Sequence, residues 1–257
     1  MSGDILSVES VSRTFGGVRA VASASFTVRA GSVTALIGPN GAGKTTMFDL
    51  ISGVTRPDEG AIRLEERRID GMAAHSITQL GLARTFQLTR VFAGLSVLDN
   101  MLLANPHQPG EHLAGLLLQA RQCRAAEQSA KVRAIELLKV FGLDAKAGDY
   151  AGNLSGGQRK LLEAARILMT EPKIVLLDEP MAGVNPTLGH RLLDHIETLR
   201  REQGVTFLFV EHDMDVVMTR ADRVIVMAQG TVIADGAPEL VRADPRVIEA
   251  YLGGTTV

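Results

Sequence analysis

The chain has 257 residues, of which 46% are hydrophobic and 22% are charged, a balance that is typical of globular proteins and excludes wholesale disorder. The formal net charge of -2 gives no general electrostatic attraction to nucleic acid or to anionic lipid. The single cysteine excludes an internal disulfide.

The N-terminal part of the chain predicts strands and turns. Residues 5–15 and 18–28 alternate loosely between apolar and polar side chains, and a Gly-Gly turn separates them. Residues 33–37 form a short apolar run that is typical of a buried strand. A glycine-rich loop follows, and the apolar positions of residues 44–52 predict a helix directly after it.

The pattern changes between residues 96 and 149, where strand signals fade. Three helices are predicted here: one that Ser96 caps, in which the pairs Val97/Met101 and Leu98/Leu102 share faces, and two at 111–122 and 124–141. We expect 96–149 to be an inserted helical subdomain. The flanking parts, 1–95 and 150–257, would form an α/β core with an antiparallel β subdomain at its N-terminal end.

After residue 150 strands and helices alternate, which predicts a mainly parallel sheet covered by helices on both faces. A hairpin closes on Gln229-Gly230, and Asp244-Pro245 predicts the start of a last short helix. The elements predicted between residue 150 and the hairpin are a helix at 156–169, a strand at 174–177, a helix at 186–203, a strand at 206–210 and a helix at 213–220.

A phosphate-binding loop is the most specific motif, because residues 38–45 match the pattern G-x-x-x-x-G-K-[ST]. Glycines let the backbone curl so that its N–H groups face phosphate oxygens, and the helix that follows presents its positive end. Lys44 can reach the β- and γ-phosphates, and the Thr45 hydroxyl can bind Mg²⁺. The predicted ATP-binding residues are Gly38, Pro39, Asn40, Gly41, Ala42, Gly43, Lys44, Thr45 and Thr46.

A second acidic site is predicted where the hydrophobic strand 174–177 meets Asp178-Glu179. An acid at the end of a buried strand is the second half of a phosphate-loop nucleotide site, and Asp178 would hold Mg²⁺ there. Glu179, one residue further on, would orient the attacking water as a proton acceptor. The alternative is a pair of solvated acids at a strand end.

The segment 154–158, Leu-Ser-Gly-Gly-Gln, predicts a second anion site, because Ser155 can cap a helix that begins with two glycines. Together with the two preceding motifs, it resembles the signature of the ABC (ATP-binding cassette) ATPases. The resemblance implies a P-loop core and a head-to-tail dimer in which the signature of one chain completes the ATP site of the other. The signature residues carried over as ATP-binding are Ser155, Gly156, Gly157 and Gln158.

Three further positions match the same family. Gln87 stands where the family has a glutamine between the core and the helical subdomain, which implies contact with Mg²⁺ or the lytic water. His212 matches the histidine that follows a strand and contacts the γ-phosphate. Phe15 stands where the family has an aromatic residue that stacks on adenine. The resemblance thus implies catalytic roles for Glu179, His212 and Gln87.

Finer features resemble the ATPase subunits of branched-chain amino acid importers, namely residues 83–87, the helical insertion, residues 179–186 and residues 249–253. The resemblance implies a second ABC subunit, identical or closely related, together with membrane permease subunits and indirectly a periplasmic or extracellular solute-binding protein. No nucleic acid partner is expected. No targeting segment is visible, and the most apolar run falls far short of the ~20 residues that span a bilayer. We therefore expect a cytoplasmic protein held on the inner face of the membrane by its partners.

Several alternatives stay open on the sequence alone. Related cassettes power urea or amide uptake or lipopolysaccharide export. A soluble ABC ATPase acting on DNA or ribosomes usually has two cassettes, long coiled coils or zinc ligands, which this chain lacks. A regulatory cassette that does not hydrolyse ATP would be expected to lose Lys44, Glu179 or His212, and all three are present. The sequence does not encode the transported solute or the direction of transport.

Overall fold

The computed structural model divides into two compact units. The described residues are 3–85, 91–106, 120–183 and 185–252. The first unit comprises Met1–Arg84, Pro172–Pro180 and Ile196–Val257, and the second comprises Thr85–Glu171 and Met181–His195. The predicted helical subdomain 96–149 falls within the second unit, and its exact boundaries stay a prediction.

The secondary structure alternates between strands and helices after an N-terminal part rich in strands. The strands, all in the first unit, are β1 Asp4–Phe15, β2 Val18–Arg29, β3 Val33–Ile37, β4 Glu59–Leu64, β5 Arg67–Arg68, β6 Leu82–Arg84, β7 Ile174–Asp178, β8 Thr206–Val210, β9 Arg223–Ala228 and β10 Thr231–Gly236. The helices are α1 Lys44–Ile51, α2 Ala74–Gln79, α3 Val97–Leu102, α4 Ala120–Val140, α5 Gly156–Met169, α6 Pro186–Gln203, α7 Met214–Arg220, α8 Pro238–Arg242 and α9 Pro245–Leu252.

The first unit contains two sheets. One has the order β2-β1-β4-β5 and is antiparallel, as the alternating N-terminal segments predicted. The other has the order β10-β9-β3-β8-β7-β6, and all its pairs are parallel except β10 with β9. Every residue of β3, β7 and β8 is buried, and all are apolar except Thr34, Thr206 and the terminal Asp178.

The parallel pairing positions the motifs. Strands β3, β8 and β7 are neighbours that run in the same direction, so their carboxyl ends lie at one edge of the sheet. The phosphate loop follows β3, Glu179 follows β7, and His212 lies two residues beyond β8. Binding sites in such sheets form outside the carboxyl ends of the strands.

The core of the first unit lies beneath α1, which buries Met47, Phe48, Leu50 and Ile51. The same cluster contains inward-facing residues of both sheets, so the helix after the phosphate loop is held by apolar contacts on its inner side. Its fully buried members from the strands include Leu6, Val11, Val21, Val28, Leu36, Ile62, Ile174, Leu176, Leu208 and Ile225.

The second unit is helical. Its helix α3 begins at a Ser96 cap, whose Oγ accepts from the Asp99 backbone N–H, and buried Asn100 bonds to the backbone of Phe92 and Ser96. The predicted break between the helices 111–122 and 124–141 is wrong, because α4 is continuous from Ala120 to Val140. These 21 residues contain no glycine or proline to interrupt the helix. Residues 111–119 of that prediction lie outside the described residues.

Most other predicted elements are confirmed. Helices α5, α6 and α7 and strands β7 and β8 lie within one residue of their predicted bounds. The short helices α2 and α8 were not predicted, because five or six residues carry little periodicity. Within the described parts of the chain, no helix combines the length and the apolar character needed to cross a membrane.

Candidate functional site

The phosphate loop lines a cavity of about 500 Å³ in the first unit. The loop and the first residues of α1 contribute Asn40 through Thr46, and Glu179 and His212 contribute from the ends of neighbouring strands. The first N–H groups of α1 have no partner within the helix, so they can bind an anion. The cavity therefore combines backbone hydrogen-bond donors, a lysine, and two side chains that can accept or donate a proton, Glu179 and His212.

Lys44 is the buried cation of this loop. Its Nζ donates to the carbonyl oxygens of Gly38 at 2.7 Å and Pro39 at 3.0 Å, and the residue is 7% exposed. Burial lowers the pKa of the Lys44 ammonium, while the negative charges of Glu179 and Asp178 act to raise it. The ammonium is thus held inside the curl of the loop, where a phosphate can replace the two carbonyls as its partner.

The curl of the loop depends on glycine. Gly43 has φ 97°, and a Cβ there would lie 2.4 Å from the carbonyl oxygen of Ala20. Gly41 has φ 76° but has nothing within 4 Å of its ideal Cβ position. Both backbones are left-handed, and only one of them also requires close approach to a neighbouring strand.

We expect Gly43→Ala to destabilise the protein by about 1–2 kcal/mol more than Gly41→Ala, because both carry left-handed strain and only the former adds a backbone clash. Urea unfolding in the absence of nucleotide measures the difference. Equal losses in the two variants would show that the loop moves away from Ala20 at little cost.

Glu179 and His212 are joined by a hydrogen bond at the rim of the cavity. The Glu179 Oε1 lies 2.6 Å from the His212 Nε2. Glu179 has φ 48°, which is uncommon for a residue other than glycine, and its backbone N–H donates to the Val210 carbonyl oxygen at 3.0 Å. Strained backbones of this kind are often found at functional sites, and Glu179 lines the cavity.

Asp178 is the buried carboxylate at the end of β7. Arg84, at the end of neighbouring β6, donates from Nη2 to Asp178 Oδ2 at 3.1 Å. Burial raises the pKa of the Asp178 carboxyl, and the Arg84 hydrogen bond and charge counter that rise. A carboxylate on β7 and the Thr45 hydroxyl on α1 are oxygen donors of the kind that Mg²⁺ prefers, so the donor set fits this ion.

The signature segment lies in the second unit and starts helix α5. The Ser155 Oγ accepts from the Gln158 backbone N–H at 3.2 Å, and the Gln158 Oε1 accepts from the Ser155 backbone N–H at 3.0 Å. This reciprocal pair is a capping box, which confirms Ser155 as the helix cap. A Cβ at Gly156 would meet nothing within 4 Å, so the helix start is open to a ligand.

Among the predicted residues of the first unit that the structure describes, Gly38, Pro39, Asp178 and Phe15 do not line the cavity. Gln87 lies outside the described residues, so its role stays a prediction. Phe15 is 44% exposed, and the Arg13 guanidinium lies 4.7 Å from the centre of its ring. Its partner across the hairpin, Val18, does line the cavity. Phe15 is therefore accessible for stacking beside the cavity.

Comparison with known proteins identifies the family. The family model described as "ABC transporter" matches residues 21–182. The high-affinity branched-chain amino acid transport ATP-binding protein LivG of Salmonella typhimurium is 42% identical over 253 residues, which cover 98% of this chain and 99% of that protein. The chain belongs to the ABC transporter ATP-binding family.

Further relatives agree with this assignment of the cassette. BraF of Pseudomonas aeruginosa, also a high-affinity branched-chain amino acid transport ATP-binding protein, is 42% identical over 254 residues, 98% of this chain and 99% of that one. A second family model, "Branched-chain amino acid ATP-binding cassette transporter", matches residues 231–256.

Solved structures show the same fold. A nucleotide-free ATP-binding cassette from an ABC transporter has a TM-score of 0.81 at 36% identity and covers 97% of this chain and 99% of its own. A cassette in its ADP conformation has a TM-score of 0.82 at 35% identity, with 98% and 100% covered. The predicted P-loop fold with a mainly parallel sheet and an antiparallel N-terminal sheet is thus confirmed.

The sequence motifs missed part of the cavity of this cassette. The turn after β9 adds Gln229, whose neighbour Gly230 accepts from the Ala22 N–H and donates to the Ala42 carbonyl. Because β9 runs parallel to β3, this turn falls at the same edge as the phosphate loop, and the parallel pairing was the missing signal. The lining residues not predicted are Val18, Arg19, Ala20 and Gln229.

Proposed function

We propose that this cassette binds and hydrolyses ATP to power the import of branched-chain amino acids through a membrane transporter. The hydrogen bond between Glu179 and His212 at the rim of the phosphate-loop cavity carries the hydrolytic part of the proposal. The match of residues 231–256 to the branched-chain family model supports the choice of solute.

Binding of ATP would use the loop as it stands. The triphosphate takes the place of the Gly38 and Pro39 carbonyls as the partner of Lys44, and the N–H groups from Asn40 to Thr46 surround its β- and γ-phosphates. The adenine stacks on Phe15, which is exposed beside the cavity lining. The phosphates are thus matched by hydrogen-bond donors, and the adenine by an aromatic ring.

Hydrolysis would be in-line attack of water on the γ-phosphorus, with the bond to the β-γ bridging oxygen breaking to leave ADP and phosphate. Glu179 orients the water and accepts its proton as the water oxygen bonds to phosphorus, and His212 and Gln87 hold the geometry around the γ-phosphate. Thr45, Asp178 and Gln87 would hold Mg²⁺, which neutralises phosphate charge when bound.

A second chain would complete each site. The capped start of α5 presents Ser155, Gly156 and Gly157, and a helix start of this kind can bind the γ-phosphate held by the loop of a partner. The partner would be a second copy or a close paralogue, and two ATP molecules would be enclosed between two chains.

We expect Ser155→Ala to lower the free energy of unfolding by about 1 kcal/mol and to abolish ATP-driven dimerisation, because the change removes both the cap and a phosphate ligand. Ser96→Ala is the matched control, since Ser96 caps α3 in the same way and lies outside the signature. Urea unfolding and light scattering with ATP measure the two effects. If Ser155→Ala dimerises at the same ATP concentration as the parent, the signature does not contribute to the ATP site of the partner.

The remaining partners follow from the transport role. Membrane permease subunits would carry the solute, and a periplasmic or extracellular binding protein would deliver it to them. The cassette would lie on the inner face of the membrane, where ATP is available.

Uptake into proteoliposomes tests the solute. The cassette is purified with its cognate permease subunits, reconstituted with ATP inside, and supplied with their cognate binding protein and labelled leucine outside. We expect leucine uptake that requires ATP and stops when the cassette carries Glu179→Gln. Uptake of urea and not of leucine would show that the proposed solute is wrong. Efflux of leucine would show that the proposed direction of transport is wrong.

A further inference from the structure

Arg84 is a buried arginine beside the nucleotide cavity to which none of the sequence motifs assigns a role. Its side chain is 8% exposed and lies at the end of β6. The Nη1 donates to Asp49 Oδ1 at 2.6 Å and to Ser52 Oγ at 3.0 Å, and the Nη2 donates to Asp178 Oδ2 at 3.1 Å. One guanidinium thus joins three acceptors on two different elements.

Two of these acceptors lie on the same face of α1 as Thr45. Asp49 is four residues after Thr45, and Ser52, which caps the end of the helix, is three residues further on. Residues at this spacing share one side of a helix. The face of α1 that carries the proposed metal-binding hydroxyl at its first turn is therefore hydrogen-bonded to Arg84 at its last turn.

The third acceptor is the other proposed metal ligand. The Asp178 side chain is 1% exposed, so its carboxylate needs a partner inside the protein. Arg84 sits beside it because β6 and β7 are parallel neighbours with Arg84 opposite Leu176. The guanidinium lies 5.6 Å from the centre of the buried Phe48 ring, which adds an aromatic contact to its hydrogen bonds.

A lysine could not make the same set of contacts. A planar guanidinium presents donors on separate nitrogens in a fixed fork, and here one nitrogen serves α1 while the other serves β7. An ammonium is a single point charge at the end of a flexible stem. The bridge therefore depends on the shape of the guanidinium as well as on its charge.

We propose that Arg84 is a positioning residue for the Mg²⁺-nucleotide site, which holds the Asp178 carboxylate at a fixed place relative to the Thr45 end of α1. It contacts neither nucleotide nor metal and acts by fixing the two elements that supply the metal ligands. This inference rests on the proposed function, because Thr45 and Asp178 are metal ligands only within it.

The test measures how strongly Mg²⁺ tightens the binding of a fluorescent mant-ATP. Titrations with Mg²⁺ and with EDTA are compared for the parent, Arg84→Gln and Arg84→Lys, with Arg246→Gln as the control for an exposed arginine paired with Asp244. We expect Arg84→Gln to lose about 10-fold of the Mg²⁺-dependent tightening with its affinity in EDTA unchanged, as for other groups that orient metal ligands. Arg84→Lys should recover only part of the loss, and Arg246→Gln should match the parent.

Failure of the positioning role and failure of the proposed function give different results. An Mg²⁺ response in Arg84→Gln equal to that of the parent overturns the positioning role, and full recovery in Arg84→Lys overturns the bridge. No Mg²⁺ response in the parent overturns the proposed function instead. If Arg84→Gln does not fold, Asp49→Asn with Ser52→Ala leaves the Asp178 contact in place and should still lose part of the Mg²⁺ response, and no loss there also overturns the inference.

Discussion

Lys44→Ala is expected to reduce kcat/KM for ATP by about 10³-fold, because it removes the cation that neutralises the β- and γ-phosphates in the bound state and in the transition state. Nothing else in the loop replaces it: Lys44 is the buried lysine of the cavity, and the carboxylates of Glu179 and Asp178 act on it as negative charges. Without the ammonium, nothing in the loop would offset the negative charge that these two acids place near it.

Phosphate release with purified protein measures this loss, and mant-ATP titration shows how much of it is binding. Lys173→Ala is the matched control, because Lys173 is an exposed lysine of the same unit that pairs with Glu65. We expect the control to keep the parent's activity. A Lys44→Ala variant with activity near that of the parent would mean that the phosphates bind elsewhere.

Glu179→Gln is expected to lower kcat by about 10²–10³-fold while ATP binding is retained, because an amide cannot accept the proton of the attacking water. The substitution keeps the size of the side chain and can still bond to His212, which lies 2.6 Å from the carboxylate. The loss should therefore appear in kcat and leave the nucleotide affinity close to that of the parent.

Glu65→Gln is the matched control for this prediction. Glu65 has φ 54°, close to the 48° of Glu179, so the same substitution is made in the same backbone conformation at a residue that does not line the cavity. We expect full activity in Glu65→Gln. If Glu179→Gln hydrolyses ATP at the parent's rate, another residue orients the attacking water and accepts its proton.

The sequence predicted the elements whose local signals are strong. The strands β3, β7 and β8 are short runs of mostly apolar residues, all of them buried. Ser155 with Gln158 three residues later is a complete capping signal. The phosphate loop and the acidic pair after β7 could be assigned for the same reason, since each motif is a few consecutive residues with one physical purpose.

The rest depends on which strands become neighbours, and that is not a local property. Arg84 meets Asp178 only because β6 pairs with β7, and Gln229 reaches the cavity only because β9 pairs with β3. The wrong break near residue 123 had another cause, because a weakly amphipathic stretch has little periodicity to show that a helix continues.

The central proposal is that the signature of one cassette completes the ATP site of another. For two copies of this chain, the mass of the Glu179→Gln variant with ATP tests it most directly. Light scattering should give 27.5 kDa without nucleotide and about twice that mass with ATP and Mg²⁺, because the bound ATP is not hydrolysed. Adding ADP instead should leave the monomer. A mass that stays at 27.5 kDa in saturating ATP would contradict the claim that the signature of one copy completes the site of another.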